Sequence, residues 1–492
     1  MVGIVGTAII MIYNHDLLSF SLNNASSSSS RSSSSSLRST QQQEQDMVKP
    51  SLVGLREKNS LKVDNFVDHG LLYPTSMAFV DDNNILVLEK AGHVRLVTNG
   101  VLQKQPVLTV PVDNTSERGL LGIAVLKASN NNGGKSGFAD KKNAGKATTS
   151  TTSTTKATTT NTITKVFLYF TEANGREPLR NRIYKYDWDS KNHQLSNPKL
   201  ILDVSALPGP NHNGGKIAIG PDHYLYAVIG NVNAGDSILQ NDKHGRGPHD
   251  TSVILRIDPN NGGLPAEKNP ISSSDNNSTT NNILSRYYAY GIRNSFGITF
   301  DPITGRLWDT ENGESTYDEI NLVQPGFNSG WQLVMGPISR SNITTKDLVN
   351  LPGSHYSDPA FSWLNTIGVT DIEFLKTSKL GDRYANNIFV GDINNGNLYY
   401  FELNKTRTGL RFGYNNDYDN NEAALLSDLV ADDKAEASTT IFGKGFGGIT
   451  DIETGPEDGF LYILSYFNGC IYRIVPASNT DNNSTSNNSI SN

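Results

Sequence analysis

The feature that most constrains this chain is a repeat. Six times the sequence runs through a short apolar strand, a turn rich in Asp, Pro and Gly, an alternating strand of the Leu-Tyr-Val kind, and a polar loop leading to another strand. The copies are "SMAFVDDNNILVLEKAGHVRLV" (Ser76 to Val97); "GLLGIAVL" with "KVFLYFTE" and "NRIYKYDWD"; "GGKIAIGPDHYLYAVIGN" with "SVILRIDP"; "SFGITFDPITGRLWDTENG" with "DEINLVQPG"; "GVTDIEFL" with "NNIFVGDINNGNLYYFELN"; and "GITDIETGPEDGFLYILSYFNGCIYRIVP". Period-two alternation of β-branched and aromatic residues between Gly, Asp, Pro and Asn predicts strands, and no long segment carries a helical period. A unit this small cannot bury its apolar face alone, so the copies must pack on one another. From Leu61 to Pro476, less a Thr-rich insertion, about 380 residues over six copies leave roughly 60 each, the size of a four-stranded blade. The expected fold is all-β, a six-bladed β-propeller. The stretch "LKVDNFVDHG" (Leu61 to Gly70) is expected to pair with the last copy and close the ring, which removes an exposed sheet edge.

Outside the repeat the chain divides by composition. Residues 1–22 carry an apolar run, Val2 to Tyr13, too short to span a bilayer and closer to a signal h-region, although the basic residues that usually precede one are missing. Residues 23–60 are expected to be a low-complexity linker, 61–476 the propeller with a low-complexity insertion at 128–164, and 477–492 a disordered tail, because Ser, Thr, Asn and Gln tracts bury too little apolar surface to offset the entropy of ordering. Glycosylation tripeptides at Asn24, Asn114, Asn276, Asn342, Asn404 and Asn483 fall mostly in polar stretches. Together with the apolar start they predict an extracytoplasmic protein, secreted or tethered at the cell surface.

Charge and cysteine content exclude some classes of function. With 42 Lys plus Arg against 49 Asp plus Glu, the net charge of -7 argues against a nucleic-acid surface. Cys470 is alone, which rules out an intramolecular disulfide and a zinc site built from cysteines. A small ligand, gathered where loops of several blades converge at one end of the channel, remains.

One stretch stands out there. In "PNHNGGKIAIGPDHYLYAVIGN" (residues 210–231) His212 sits between two asparagines and ahead of two glycines. Taken alone, Asn211, His212 and Asn213 read as turn residues bonding their own backbone. Imidazole, with an ordinary pKa near ~6.5, also suits proton abstraction at neutral pH.

The motifs "RGLLGIAV" (Arg118 to Val125), "NHNGGKIAIGPDHYLYAVIG" (Asn211 to Gly230), "YGIRNSFGITFDPITGRLW" (Tyr290 to Trp308) and "ENGESTYDEINLVQPGFNSGW" (Glu311 to Trp331) resemble the glucose/sorbosone dehydrogenase family, in order and over nearly the whole chain between the tails. These are soluble aldose sugar dehydrogenases that use pyrroloquinoline quinone (PQQ) with calcium on a six-bladed propeller. The resemblance implies that an aldose is oxidised at its anomeric hydroxyl to a lactone, with electrons passed to an unidentified acceptor. It makes His212 the general base, with Asn231 at the position of its orienting partner. It sets Arg293 and Asn294 against the quinone oxygens, where fixed positive charge stabilises charge developing during hydride transfer. Glu117 matches a polar residue, usually Gln, near the substrate, and Lys376 matches a lysine that contacts the cofactor. Calcium would be met by the carbonyls of Gly313 and Glu314, and a structural ion by Asp318 and Glu319, since oxygen-rich loops suit a hard cation. Gly214 and Gly215 would turn the chain tightly and admit a flat cofactor against the backbone.

The departures from that pattern have physical weight. The usual aspartate nineteen residues after the histidine is Asn231, which can hold the ring but adds no charge. Two arginines that clasp the quinone carboxylates correspond to Gly448 and Thr450, with Lys444 as a partial substitute, and Asn312 and Glu314 replace the usual His and Pro. A second reading therefore stands beside the first: the same scaffold without the quinone, as a carbohydrate-binding surface module or a calcium-dependent hydrolase of lactones or esters.

Overall fold

A computed structural model describes residues 49–53, 60–127, 163–173, 175, 179–271, 283–412 and 426–477. The apolar start, nearly all of the insertion and all but the first residue of the tail lie outside these residues, as does most of the linker. Within them the protein is all-β, with helix limited to short pieces such as Lys434–Thr439, whose first turn is capped by the Asp433 carboxylate.

The strands form six sheets, each a meander that starts on an inner strand. The inner strands are Pro74–Phe79, Leu120–Leu126, Ile217–Ile219, Gly297–Phe300, Val369–Phe374 and Ile449–Thr454. Each lies beside the inner strands of the sheets before and after it, and the sixth lies beside the first, which makes a propeller-like ring. Leu61–Val67 pairs antiparallel with Cys470–Pro476, with Leu61 opposite Pro476 and Val67 opposite Ile471, so the closure expected from sequence is present. The linker expected over 23–60 differs at its end, because Ser51–Leu52 adds to the outer edge of the fifth sheet opposite Gly443 and Lys444. A two-residue pairing carries no periodic signal by which sequence could reveal it.

The apolar residues of alternate strand positions meet between sheets. Six cores result, one at each junction around the ring. Leu88 and Phe170 belong to the core between the first and second sheets, Phe167 and Leu255 to the next, Val228 and Leu307 to the third, and Trp308 and Phe401 to the fourth. Phe389 with Ile463, and Val67 with Val87, complete the circuit. Trp308 and Trp363 are the largest fully buried side chains. Truncating one such ring to Ala costs about 3–5 kcal/mol, because its transfer energy is lost and a cavity remains.

The axis of the ring is polar. Lys216 Nζ lies 2.7 Å from Asp371 and 2.9 Å from Asp451, and Ser76 and the Met77 N–H also donate to Asp451. One ammonium thus ties the first, third, fifth and sixth sheets together at the centre. The loops that enter the inner strands at their N-terminal ends all open on one end of this axis, and the strands' C-terminal ends open on the other.

Candidate active site

His212 lies in the loop that enters the third inner strand, and its backbone is pinned from both sides. Its N–H donates to Glu117 Oε2 at 2.7 Å, and its carbonyl accepts from the Val232 N–H at 3.0 Å. The residue adopts φ +58°, the left-handed region that a non-glycine residue takes at a cost. Asn213 anchors the loop by donating to the Pro210 carbonyl and accepting from Asn181, while its own carbonyl accepts from the Tyr169 hydroxyl.

The tautomer of His212 follows from the bonding of Asn231. The Asn231 amide nitrogen donates to the Ala234 carbonyl, and its Oδ1 accepts from the Asn233 N–H, so Oδ1 is the atom that faces His212 Nδ1 at 2.6 Å. Nδ1 therefore carries the proton and Nε2 the lone pair. Nε2 has no protein partner among the described residues, yet it is not sealed from solvent. Burial, then the charge of Arg293, pull the imidazole pKa down to about 4, against the opposing bond to Asn231. The ring is neutral at neutral pH and presents an open acceptor.

Arg293 and Asn294 sit in the loop that enters the fourth inner strand. Asn294 donates to Glu117 Oε2 at 3.1 Å and accepts from the Gly214 N–H at 3.1 Å, so one amide couples the loops of three sheets. The Arg293 carbonyl accepts from the Asn231 N–H at 2.9 Å, and its own N–H donates to Glu311. The guanidinium donates to the Asn312 carbonyl at 3.0 Å and lies 5.3 Å from the Trp331 ring centroid, while its Nε is buried without a partner. Burial lowers the Arg293 pKa, opposed by the carboxylates of Glu117, Glu314, Glu311 and Asp318; it remains a cation at any ordinary pH. Glu117 is pushed upward by burial and held down by the His212 N–H, the Arg293 charge and the Asn294 amide.

His212, Asn231, Arg293, Asn294 and Glu117 thus form one constellation from four loops of three neighbouring sheets. The remaining expected residues do not join it. Lys376 follows the C-terminal end of the fifth inner strand, where its N–H donates to Thr454 and its half-exposed ammonium pairs with Glu373 at 2.8 Å. That is the opposite end of the axis from His212. Asp318 spends its carboxylate on four backbone N–H groups, those of Gly313, Ile367, Gly368 and Val369. Glu314 is exposed. Glu319 follows Asp318 along the strand and so points to the other face, where it accepts from the Gly336 N–H and from Asn321 at 3.3 Å. Asp318 and Glu319 cannot close on one ion. Among the described residues no group of three or more His, Cys, Asp or Glu is spaced to hold a metal ion.

The glycines after His212 make the expected tight turn, at φ +64° and +116°. A Cβ on Gly214 would lie 2.5 Å from the Val228 carbonyl oxygen, and one on Gly215 would lie 2.7 Å from Leu121 Cβ. Both positions therefore require glycine because the protein's own chain fills the direction a side chain would take. Lys444 stands on the outermost part of the fifth sheet, opposite Ser51, rather than over the axis. Sequence reasoning assigned no role to Glu311, Trp331 or the Asn312 carbonyl, which fix Arg293. Their signal was present in the "ENG" and "GW" motifs, but only as family pattern.

The glucose / sorbosone dehydrogenase family signature matches residues 71–473. The aldose sugar dehydrogenase YliI of Escherichia coli is 24% identical over 266 residues, which cover 54% of this chain and 60% of that protein. The quinoprotein glucose dehydrogenase B of Acinetobacter calcoaceticus is 29% identical over 173 residues, 32% of this chain and 34% of that protein. The chain spans about 60% or less of these curated relatives. In fold, the PQQ-bound aldose sugar dehydrogenase of Streptomyces coelicolor superposes with a TM-score of 0.54 at 21% identity, over 85% of this chain and 98% of that one. The soluble aldose sugar dehydrogenase of E. coli gives 0.58 at 18% identity, over 85% and 99%. With a signature that runs through all six sheets and takes in every residue of the constellation, this chain belongs to the glucose / sorbosone dehydrogenase family.

Proposed function

We propose that this chain is a quinone-dependent sugar dehydrogenase on a six-bladed ring, each of the six sheets one blade, and that it oxidises the anomeric hydroxyl of an aldose to a lactone. The observation that carries the reading is the neutral His212 with its lone pair on Nε2, set beside a fixed cation. Nε2 takes the hydroxyl proton, and Asn231 keeps the ring in the competent tautomer. Arg293, with a buried nitrogen that lacks a partner, supplies positive charge where negative charge develops, and the Asn312 carbonyl and Glu311 hold it there without reorganisation. PQQ, when bound, would supply the hydride acceptor, and its reacting oxygens suit Arg293. Glu117 brackets the two loops that carry base and cation. The fit holds at this reacting end; the sixth sheet, with Gly448 and Thr450, offers no guanidinium to the cofactor's carboxylates.

The test is reconstitution of the purified chain with PQQ and calcium, followed by dye reduction with aldoses. His212→Ala is expected to lower the rate at least 1,000-fold with an unchanged melting temperature, since the residue acts by proton transfer rather than packing. Normal turnover in that variant, or no quinone retained by the wild type, would sink the reading.

Calcium enters this reading through the resemblance alone, at the carbonyls of Gly313 and Glu314, because no group of three or more acids among the described residues is spaced to hold it. Asp309, Glu311 and Glu319 share one face of the fourth sheet, with Asp309 opposite Asn321 and Glu311 opposite Glu319, and both oxygens of buried Asp309 lack partners. Burial, with mutual repulsion at Asp309 and Glu319, raises all three carboxyls, Glu311 to about 7.

We place the work outside the cytoplasm, supported by the exposure of Asn114 and Asn342 within their glycosylation tripeptides. An enzymatic deglycosylation shift on chain secreted from a eukaryotic host checks it.

A further inference from the structure

Gly448 and Thr450 stand at the end of the sixth inner strand that faces the His212 constellation. At Gly448 the backbone is left-handed, φ +77°, and a Cβ there would lie 2.8 Å from a ring carbon of Phe467 and 3.0 Å from the Ile393 carbonyl. Thr450 turns its hydroxyl onto the Pro74 carbonyl at 2.8 Å. An aromatic ring therefore occupies the place where the resemblance implies a guanidinium.

That ring belongs to a row. Phe467 packs edge-on against Tyr466 with centroids 5.1 Å apart, and Tyr466 lies 5.3 Å from Tyr73. Phe467 is 60% exposed, Tyr73 50% and the adjoining Leu72 64%. Single exposed apolar residues are ordinary, but a contiguous row at a ligand mouth is not. Tyr73 is held at φ +49°, a cost for any residue with a Cβ. The row stands at the same end of the ring as the constellation: Tyr73 precedes the first inner strand as His212 precedes the third, and its carbonyl accepts from the N–H of Lys90, whose charge acts on Glu117.

We propose that Tyr73, Tyr466 and Phe467 form a platform on which a pyranose ring lies beside His212. The inference rests on the sugar-directed reading above and adds where the sugar is held. A pyranose presents one face of C–H bonds, whose partial positive charge complements the negative face of an aromatic ring, while its hydroxyls stay at the polar edge. Such a ligand is uncharged and needs none of the missing guanidinium groups. The rings are set before binding, so little entropy is lost when the sugar docks.

The experiment uses the full chain without cofactor, titrated calorimetrically with methyl β-glucopyranoside and with cellobiose. Saturable binding is expected, weakened about 10-fold by Phe467→Ala and by Tyr73→Asn, which retains the left-handed backbone, and kept by Phe467→Trp. Phe467 is exposed, so its truncation should leave the melting temperature unchanged. Wild-type chain that binds neither sugar, or variants that bind as wild type does, would overturn the platform. So would a Phe467→Ala loss confined to PQQ, which would assign the rings to the cofactor. Sugar binding lost in Phe467→Ala by a chain that never reduces dye would leave the platform and retire the dehydrogenase. Unchanged KM in an active Phe467→Ala would do the reverse.

Discussion

His212 is a base whose strength is set by neighbours of opposite effect: burial and Arg293 favour the neutral ring, and Asn231 supports its charged form only through a bond. Asn231→Asp would add a negative charge to the Nδ1 side, so the His212 pKa should rise by about 1–2 units and the acid limb of kcat/KM should move up from near 4 by the same amount. An unmoved limb would mean that another group controls it. The same residue affects folding. Between its unfolded value near ~6.5 and about 4 the unfolded chain binds a proton that the folded chain refuses. The fold therefore loses stability as pH falls through that window, by on the order of 3 kcal/mol, and His212→Gln should flatten that part of a urea-midpoint profile. At this scale His212, Arg293 and Asn294 were legible because each lies in a motif with a fixed place before an inner strand, and Asn231 by its spacing from His212. Asp318 was not. Its acidic turn reads like a cation loop, yet four N–H groups consume it, three of them from residues about fifty positions along the chain that no local pattern connects to it.

The element that closes the ring is the strand Leu61–Val67, joined to Cys470–Pro476 by a ladder between the two ends of the fold. Val67 is 3% exposed and packs with Val87 and Leu464 in the core between the sixth and first sheets. Val67→Asp would bury an unpaired carboxylate at that seam and should cost several kcal/mol, read as a large drop in the urea midpoint; a change below about 1 kcal/mol would mean that the closure adds little to stability. Strand, turn and closure could be read from alternation and turn residues alone, because side chains of period two fix which face is buried. Lys376 shows the limit of that reading. Alternation identifies the strand before it but not which end of the ring the strand's far end reaches, and the lysine emerges away from His212.

Across the whole molecule, Lys216 joins Asp371 and Asp451 at the axis and so couples four of the six sheets. Lys216→Met should cost about 3–5 kcal/mol at pH 7, because two buried carboxylates lose their cation. Without it both carboxyls are held protonated more readily in the folded chain than in the unfolded one, so the cost of the substitution should shrink as pH falls from 7 to 5. Parallel urea titrations at the two pH values would show this, and equal losses at both would refute it. The sequence by itself determined the all-β repeat, the closing strand and the motifs that hold His212, Arg293 and Asn294, since these depend on local alternation, turn chemistry and order along the chain. Only the tertiary structure decided which loops share one end of the ring, which acids are consumed by backbone N–H groups, and that the Phe467 ring stands where one of the guanidinium groups was implied. Those outcomes depend on contacts across turns and between neighbouring sheets that no local pattern connects, and burial there, rather than residue type, fixes the charge and the partner of each side chain.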